Sequence, residues 1–429
     1  MEFYKGFFIS DYIKEASEKA LEMCREKFDE INYITARNCE KVLCSFIKNK
    51  VSEADLNPTT GYGYNDRGRE KIDDIYKDIF NTEAALVRHF MVSGTHALTT
   101  ALFGVLRPGD ILLSVADKPY DTLDEVIGIK GSGKGSLKEF NIEYRQVDLR
   151  PDGKLDYLSI EKTLKELKPK VVYLQRSRGY STRPSITISE IGKVSEIIKK
   201  TAPESIFMVD NCYGEFVELL EPSDVGADLI VGSLIKNPGG SFAESGGYIA
   251  GKKELVEQCS YRLTSPGLGS EVGASLNQNK NILRGIYFAP SIVGEALKTA
   301  VFASALFELL GFECSPSYEE KRTDIVQQII LKKPEALIEF CGGIQSGSPI
   351  DSYVTPEAWD MPGYTSQVVM AAGAFVSGSS IELSADGPIR PPYCAYLQGG
   401  VIFESAKMGI ILAAERLYSK GFLEKEKPI

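Results

Sequence analysis

Short apolar runs alternate through the first half of the chain with stretches whose apolar residues recur at helical spacing. The runs Ala84–His89 (continuing into Phe90–Val92), Ile111–Val115, Tyr144–Val147, Val171–Leu174 and Ile206–Val209 read as strands. Between them Glu70–Phe80, Ala97–Val105, Leu158–Leu167 and Ile188–Lys200 read as helices. Such alternation predicts an α/β fold with a mainly parallel sheet wrapped by helices. Two further strands are expected at Leu229–Val231 and Tyr248–Ala250. Residues 11–50 predict two helices, and a helical stretch near Pro290–Gly311 leads into a second domain. The expected division is an N-terminal helical segment 1–60, a large domain 61–289 and a smaller C-terminal α+β domain 290–429.

Composition narrows the classes. At 429 residues the chain exceeds one small core, and two domains are the default. A net charge of −10 argues against nucleic acid or an anionic membrane as partner. No run approaches the ~20 apolar residues of a membrane span. The N-terminal residues do not pattern as a secretory signal, and eight scattered cysteines suit a reducing cytoplasm. With two histidines and no CxxC pair, no metal site is expected.

The chemistry concentrates between Phe207 and Gly240. One apolar run ends on Asp210, and the next ends on Gly232-Ser233, followed by Lys236. In open α/β sheets the ligand crevice lies beyond the carboxyl ends of strands, so neighbouring strands are expected to bring this acid and this lysine together. Apolar surroundings should push the lysine toward its neutral, nucleophilic form, able to condense with an aldehyde. An aspartate against a pyridine nitrogen keeps it protonated, and the pair then describes pyridoxal 5'-phosphate (PLP) chemistry. An Asp and a Lys at strand ends would equally make a structural ion pair, so other parts of the site must decide.

Those parts are present. Ser93-Gly94-Thr95-His96 stands between a strand and a helix, the geometry that aims backbone N–H groups at a phosphate. Tyr120 is a candidate to stack on an aromatic cofactor, and the loop Gln175–Tyr180 falls at a strand end. Tyr62, Tyr64, Arg67 and Arg69 suit an anion site. Ser384–Tyr393 reads as a rigid turn presenting Arg390. The stretch Gly128–Gly135 nearly matches a phosphate loop, but Gly135 stands where the magnesium-binding hydroxyl belongs, so it reads as a plain loop.

With VDNCYGEF, GSLIKNPGG, SGTHAL and GPIRPPY together, the chain resembles the fold type I PLP-dependent enzymes of the cystathionine β-lyase and methionine γ-lyase group, in the aluminium-resistance carbon–sulfur lyase branch. The resemblance covers roughly Gly61 to Phe403. It implies Lys236 as the Schiff-base lysine, Asp210 as partner of the ring nitrogen and Tyr213 near the ring hydroxyl. It further implies Ser233, Gly94 and Thr95 at the phosphate, Tyr120 as the stacking and catalytic tyrosine, and Tyr64 with Arg67 reaching the phosphate of a neighbouring subunit. Arg390 and Arg178 are the alternatives for the substrate carboxylate. The chain departs from the main group in carrying Ile235, not a hydroxyl residue, before the lysine, and in the three-residue step from Tyr64 to Arg67. The function implied is release of a thiol from a sulfur amino acid, with a keto acid and ammonia, by a cytoplasmic homodimer or homotetramer with shared active sites. Transamination, decarboxylation or racemisation on the same cofactor, and a binding protein without turnover, are the alternatives.

Overall fold

The structure, a computed structural model, describes residues 6–423. Its elements run α1 (Asp11–Met23), α2 (Arg25–Lys48), α3 (Arg67–Ile79), β1 (Ala84–Arg88), α4 (Gly94–Val105), β2 (Ile111–Ser114), α5 (Asp124–Ile127), β3 (Glu143–Gln146), α6 (Tyr157–Leu167), β4 (Val171–Gln175) and α7 (Ile188–Thr201). They continue with β5 (Ile206–Asp210), β6 (Leu229–Ser233), β7 (Gly247–Gly251), α8 (Lys253–Leu263), α9 (Asn279–Leu309), β8 (Glu313–Ser315), β9 (Gln327–Ile330), α10 (Pro334–Ser346), β10 (Val368–Ala371), β11 (Ser384–Pro388), β12 (Cys394–Gln398) and α11 (Phe403–Ser419).

The chain divides into two units. The larger, Arg37–Pro290, holds a seven-stranded sheet in the order β1-β7-β6-β5-β4-β2-β3. β7 pairs antiparallel with both of its neighbours, and every other pairing is parallel. β4, β5, β6 and β7 are buried along their whole length, as strands covered on both faces must be. Local chemistry starts the covering helices: Thr187 and Glu190 form a reciprocal capping box on α7, and Asp156 caps α6. α4 is apolar around much of its circumference because it packs between the sheet and α8. Ala97, Leu98, Ala101 and Leu102 join Val231, Ile249 and Cys259 in that core.

The second unit combines the described residues up to Ala36 with Ser291 onward. Its five-stranded sheet, in the order β10-β11-β12-β9-β8, is antiparallel throughout, and α10 packs on α11. The observed division therefore differs from the expected one on its N-terminal side. The described residues of the expected segment 1–60 are divided between the two units: α1 packs on α11, whereas Asn38 donates to the carbonyls of Phe216 and Glu218 in the larger unit.

Three expected elements change form. β1 stops at Arg88, and the apolar Met91 is buried from a turn, not from a strand. α9 begins at Asn279 and continues through Pro290, where burial of Ile286, Ala289 and Val293 outweighs the ~3 kcal/mol a helical proline costs. Ser384–Pro388, expected as part of a turn, is strand β11. Four glycines of the near-phosphate-loop, Gly128, Gly131, Gly133 and Gly135, take positive φ, and Gly128 ends α5.

Candidate active site

β5 and β6 lie side by side and parallel, with Asp210 opposite Val231. Asp210 closes β5, and Lys236 follows three residues after β6 ends. Asp210 is buried and its two oxygens are separately held. Oδ1 accepts from the Cys212 backbone N–H at 3.1 Å, and Oδ2 accepts from the Tyr173 hydroxyl at 3.3 Å.

The turn after Asp210 is shaped by a buried arginine. Arg176, at the end of β4, donates through Nη1 to Asn211 Oδ1 (2.8 Å) and to the Gly214 carbonyl (2.9 Å), and through Nη2 to Glu218 (3.2 Å). A Cβ at position 214 would fall 2.5 Å from that Nη1, so only glycine fits. The turn throws Tyr213 into the left-handed region at φ 71°. Its ring then lies under the lysine, with Lys236 Nζ 4.0 Å from the ring centroid.

The charge of Lys236 runs opposite to the expectation from its apolar neighbours. Burial alone would lower its pKa, but Cys212, Tyr213, Asp210 and Glu215 are all acids, and together they hold the ammonium well above the usual lysine value. The sequence showed the apolar strand and hid the acids that the following turn folds back toward it.

The helix end behind the lysine is built as a cradle. Ser93 caps α4 by accepting from the His96 N–H at 3.1 Å, leaving the first-turn amides of Gly94 and Thr95 at the positive end of the helix. A Cβ on Gly94 would sit 3.3 Å from both Cys212 Sγ and Ser233 Cβ, so Gly94, Cys212 and Ser233 converge on one space. Thr95 Oγ1 lies 2.7 Å from Thr122 Oγ1, which ties the helix to the turn carrying Tyr120. Tyr120 lies 5.9 Å, ring to ring, from Tyr180 and packs on the backbone of Gly179, whose Cβ would fall 2.7 Å from its ring. Tyr120 follows β2 and Tyr180 follows β4, so the two rings flank the point where the strand order reverses. Arg178 is buried in the same loop, its backbone N–H bonded to Ser185 Oγ at 3.1 Å.

The remaining candidates are carried by other elements. Tyr64 is exposed and stacks on Tyr62 at 5.5 Å, and Arg67 pairs with the buried Asp55 at 3.3 Å. Among the described residues no hydrogen bond or ion pair links either one to Gly94, Thr95 or Ser233. Arg69 is structural: it is buried, and its guanidinium donates to the carbonyls of Gly63, Glu271 and Gly273. Arg390 belongs to the second unit, in the bend between β11 and β12, where its own N–H donates to the Pro388 carbonyl.

Three residues near the site were not singled out from the sequence: Tyr173, Cys212 and Glu215. Tyr173 had a signal, as the one hydroxyl inside an apolar strand two residues before its end. Glu215 stood inside VDNCYGEF as an acid five places after Asp210. Among the described residues no cluster of ligands could hold a metal ion, and no helix is long and apolar enough to cross a membrane.

The chain is 51% identical over 392 residues to the Bacillus subtilis protein YnbB, an alignment covering 91% of this chain and 93% of that one. The solved structure of the carbon-sulfur lyase involved in aluminum resistance from Clostridium novyi NT superposes with TM-score 0.92 at 51% identity, covering 95% and 96% of the two chains. More distantly, the L-methionine gamma-lyase of Treponema denticola is 29% identical over 183 residues, 42% of this chain and 41% of that protein. The architecture is that of the fold type I PLP-dependent enzymes. The methionine gamma-lyase family model matches residues 13–418, and the chain belongs to that family.

Proposed function

We propose that this protein is a PLP-dependent carbon–sulfur lyase that releases a thiol from a sulfur amino acid and leaves a keto acid and ammonia. The observation that carries this reading is the convergence of Lys236, Asp210, Tyr213, Ser233 and Gly94 at the ends of β5, β6 and α4 in a member of this family. The cradle between Gly94, Cys212 and Ser233, which a single Cβ would fill, fits a phosphate at the α4 N-terminus. PLP, when bound, supplies an electron sink for charge developing at the substrate α-carbon.

Each residue then has a task. Lys236 would hold the cofactor through Nζ, and that same atom, when free and neutral, would take the substrate's α-proton. Asp210, fixed from both sides, faces the ring nitrogen. The amides of Gly94 and Thr95 and the Ser233 hydroxyl take the phosphate. Tyr120 covers the ring and assists proton movement toward the leaving group, and Tyr213 stands by the ring hydroxyl. Tyr64 and Arg67, exposed and outside the cradle of their own chain, reach the phosphate of a second copy in a homodimer or homotetramer. Arg178 and Arg390 are the two candidates for the substrate carboxylate.

The test is a product assay on cystathionine, cysteine and methionine. Thiol (hydrogen sulfide in the case of cysteine), ammonia and keto acid in equal amounts support the reading; pyruvate marks β-elimination and 2-oxobutanoate γ-elimination. Amino transfer to an added keto acid, without ammonia or thiol from any substrate, would replace it with a transaminase. Borohydride reduction should also fix the cofactor on Lys236.

A further inference from the structure

A second acid stands behind the lysine strand. Gly232 and Ser233 are consecutive in β6 and therefore face opposite sides of the sheet. On the Ser233 side lies Gly94. On the Gly232 side lies Glu215, fully buried: a Cβ at 232 would fall 2.5 Å from Glu215 Oε1 and 2.4 Å from the Tyr248 ring.

Glu215 is held in place but only half satisfied. Its Oε1 accepts from the Tyr248 hydroxyl at 2.9 Å, and its backbone carbonyl accepts from Asn237 Nδ2 at 3.0 Å. Asn237 is the residue next to Lys236, so the acid is fastened to the segment that carries the lysine. Its Oε2 has no hydrogen-bond partner among the described residues. An unpartnered carboxylate oxygen in a dry interior is costly unless a charge nearby compensates it.

We propose that Glu215 is a positioning residue for Lys236, its carboxyl, once ionised, serving as a counter-charge that helps to hold a proton at the lysine nitrogen. This rests on Lys236 being the cofactor lysine. The coupling is electrostatic, so no proton need pass directly between the two groups.

The surroundings leave these two as the responsive pair. Facing Glu215 are Tyr76 from α3, Tyr248 from β7, Cys212 and Glu221 from the segment after β5, and Lys236 itself. Burial holds Tyr76, Tyr248 and Cys212 well above their ordinary values, so they stay protonated near neutrality. Glu221 is raised by burial too, but Lys41 and Arg176 oppose that and the Phe216 amide and Asn211 bond it. Burial lifts Glu215 to about 8, with its own backbone amide, Tyr248 and Lys236 pulling down and Glu221 pushing up. It therefore changes charge in the neutral to mildly alkaline range.

The experiment is a pH titration of the visible absorbance of the PLP-loaded protein. Glu215→Gln removes the balancing charge and should move the midpoint to lower pH by about one unit. Tyr248→Phe keeps the acid but removes its one side-chain hydrogen bond, and should move the midpoint the same way by less. Tyr76→Phe, which alters the packing around the acid, should leave it in place. A Glu215→Gln midpoint on top of the wild-type one overturns the proposal, as does an unmoved Tyr248→Phe midpoint if melting curves show that Glu215→Gln does not fold. Failure of the underlying cofactor reading looks different: wild-type protein mixed with PLP would show no band to titrate.

Discussion

The Tyr173 hydroxyl donates to Asp210 Oδ2 at 3.3 Å, from β4 across to the end of β5, while the Cys212 amide holds the other oxygen. Burial keeps the phenol protonated far above its usual range, so it is a permanent donor. The carboxylate proposed to face the cofactor ring is thereby aimed by the strand next door. Tyr173→Phe should weaken PLP binding roughly tenfold, equivalent to about 1.4 kcal/mol. Absorbance titration with the cofactor checks it; an unchanged affinity would make the contact incidental.

Tyr120 packs on Gly179 and is tied through Thr122 to Thr95. Removing only its hydroxyl leaves the ring in place. Tyr120→Phe should lower the elimination rate by about 10²-fold, the lower end of general acid–base contributions, with cofactor affinity nearly unchanged. Equal losses in both would reduce the residue to a stacking surface.

Sharing of sites between copies can be tested by complementation. Arg67→Ala and Lys236→Ala homo-oligomers should each be nearly inactive. Mixed and re-equilibrated, they should regain part of the wild-type rate, because one site per hybrid dimer keeps both residues. Full activity from a preparation shown to be monomeric by sedimentation would contradict the shared site.

Arg176 clamps Asn211 and Gly214 and faces Glu218 and Glu221, all buried. Arg176→Met would strand two carboxylates without their cation. The expected loss is about 3–5 kcal/mol in urea unfolding. A loss below about 1 kcal/mol would mean that the acids take up protons at little cost.

Glu215 also gives the fold a pH dependence. Its carboxyl is raised from 4.5 to about 8, so it favours the folded state while protonated. That contribution is complete below about pH 4.5 and is lost as pH rises through 8. Between pH 5 and 8 the wild type should lose stability that Glu215→Gln retains. Melting temperatures measured across that range should diverge with rising pH, and parallel curves would contradict the shift.

The parallel core was legible because fully buried strands leave unbroken apolar runs such as Val171–Leu174 and Ile206–Val209, separated by a helix with its own cap. Lys236, Asp210 and Ser233 were legible because strand ends are marked by where apolar runs stop. What stayed hidden depends on partners distant in sequence. Nothing local tells that β7 turns antiparallel or that Pro290 lies within a longer helix. Arg69 and Arg67 look alike in sequence, yet one is sealed among carbonyls and the other stands at the surface. The sign of the Lys236 shift was hidden for the same reason, since Asp210 is joined there by Cys212, Tyr213 and Glu215 from the turn after it, and the strand preceding the lysine does not set it.

The bare backbone at position 232 makes two places in the chain answer to each other as sequences drift. Glu215 and Tyr248 each fill volume a side chain there would need, so alanine at 232 can arise only together with changes that make room at both 215 and 248. A descendant that keeps either the acid or the tyrosine ring in this place is bound to the glycine. Relatives that carry a side chain at 232 should therefore be found to have changed both 215 and 248, and in them the lysine nitrogen would have to find its counter-charge elsewhere.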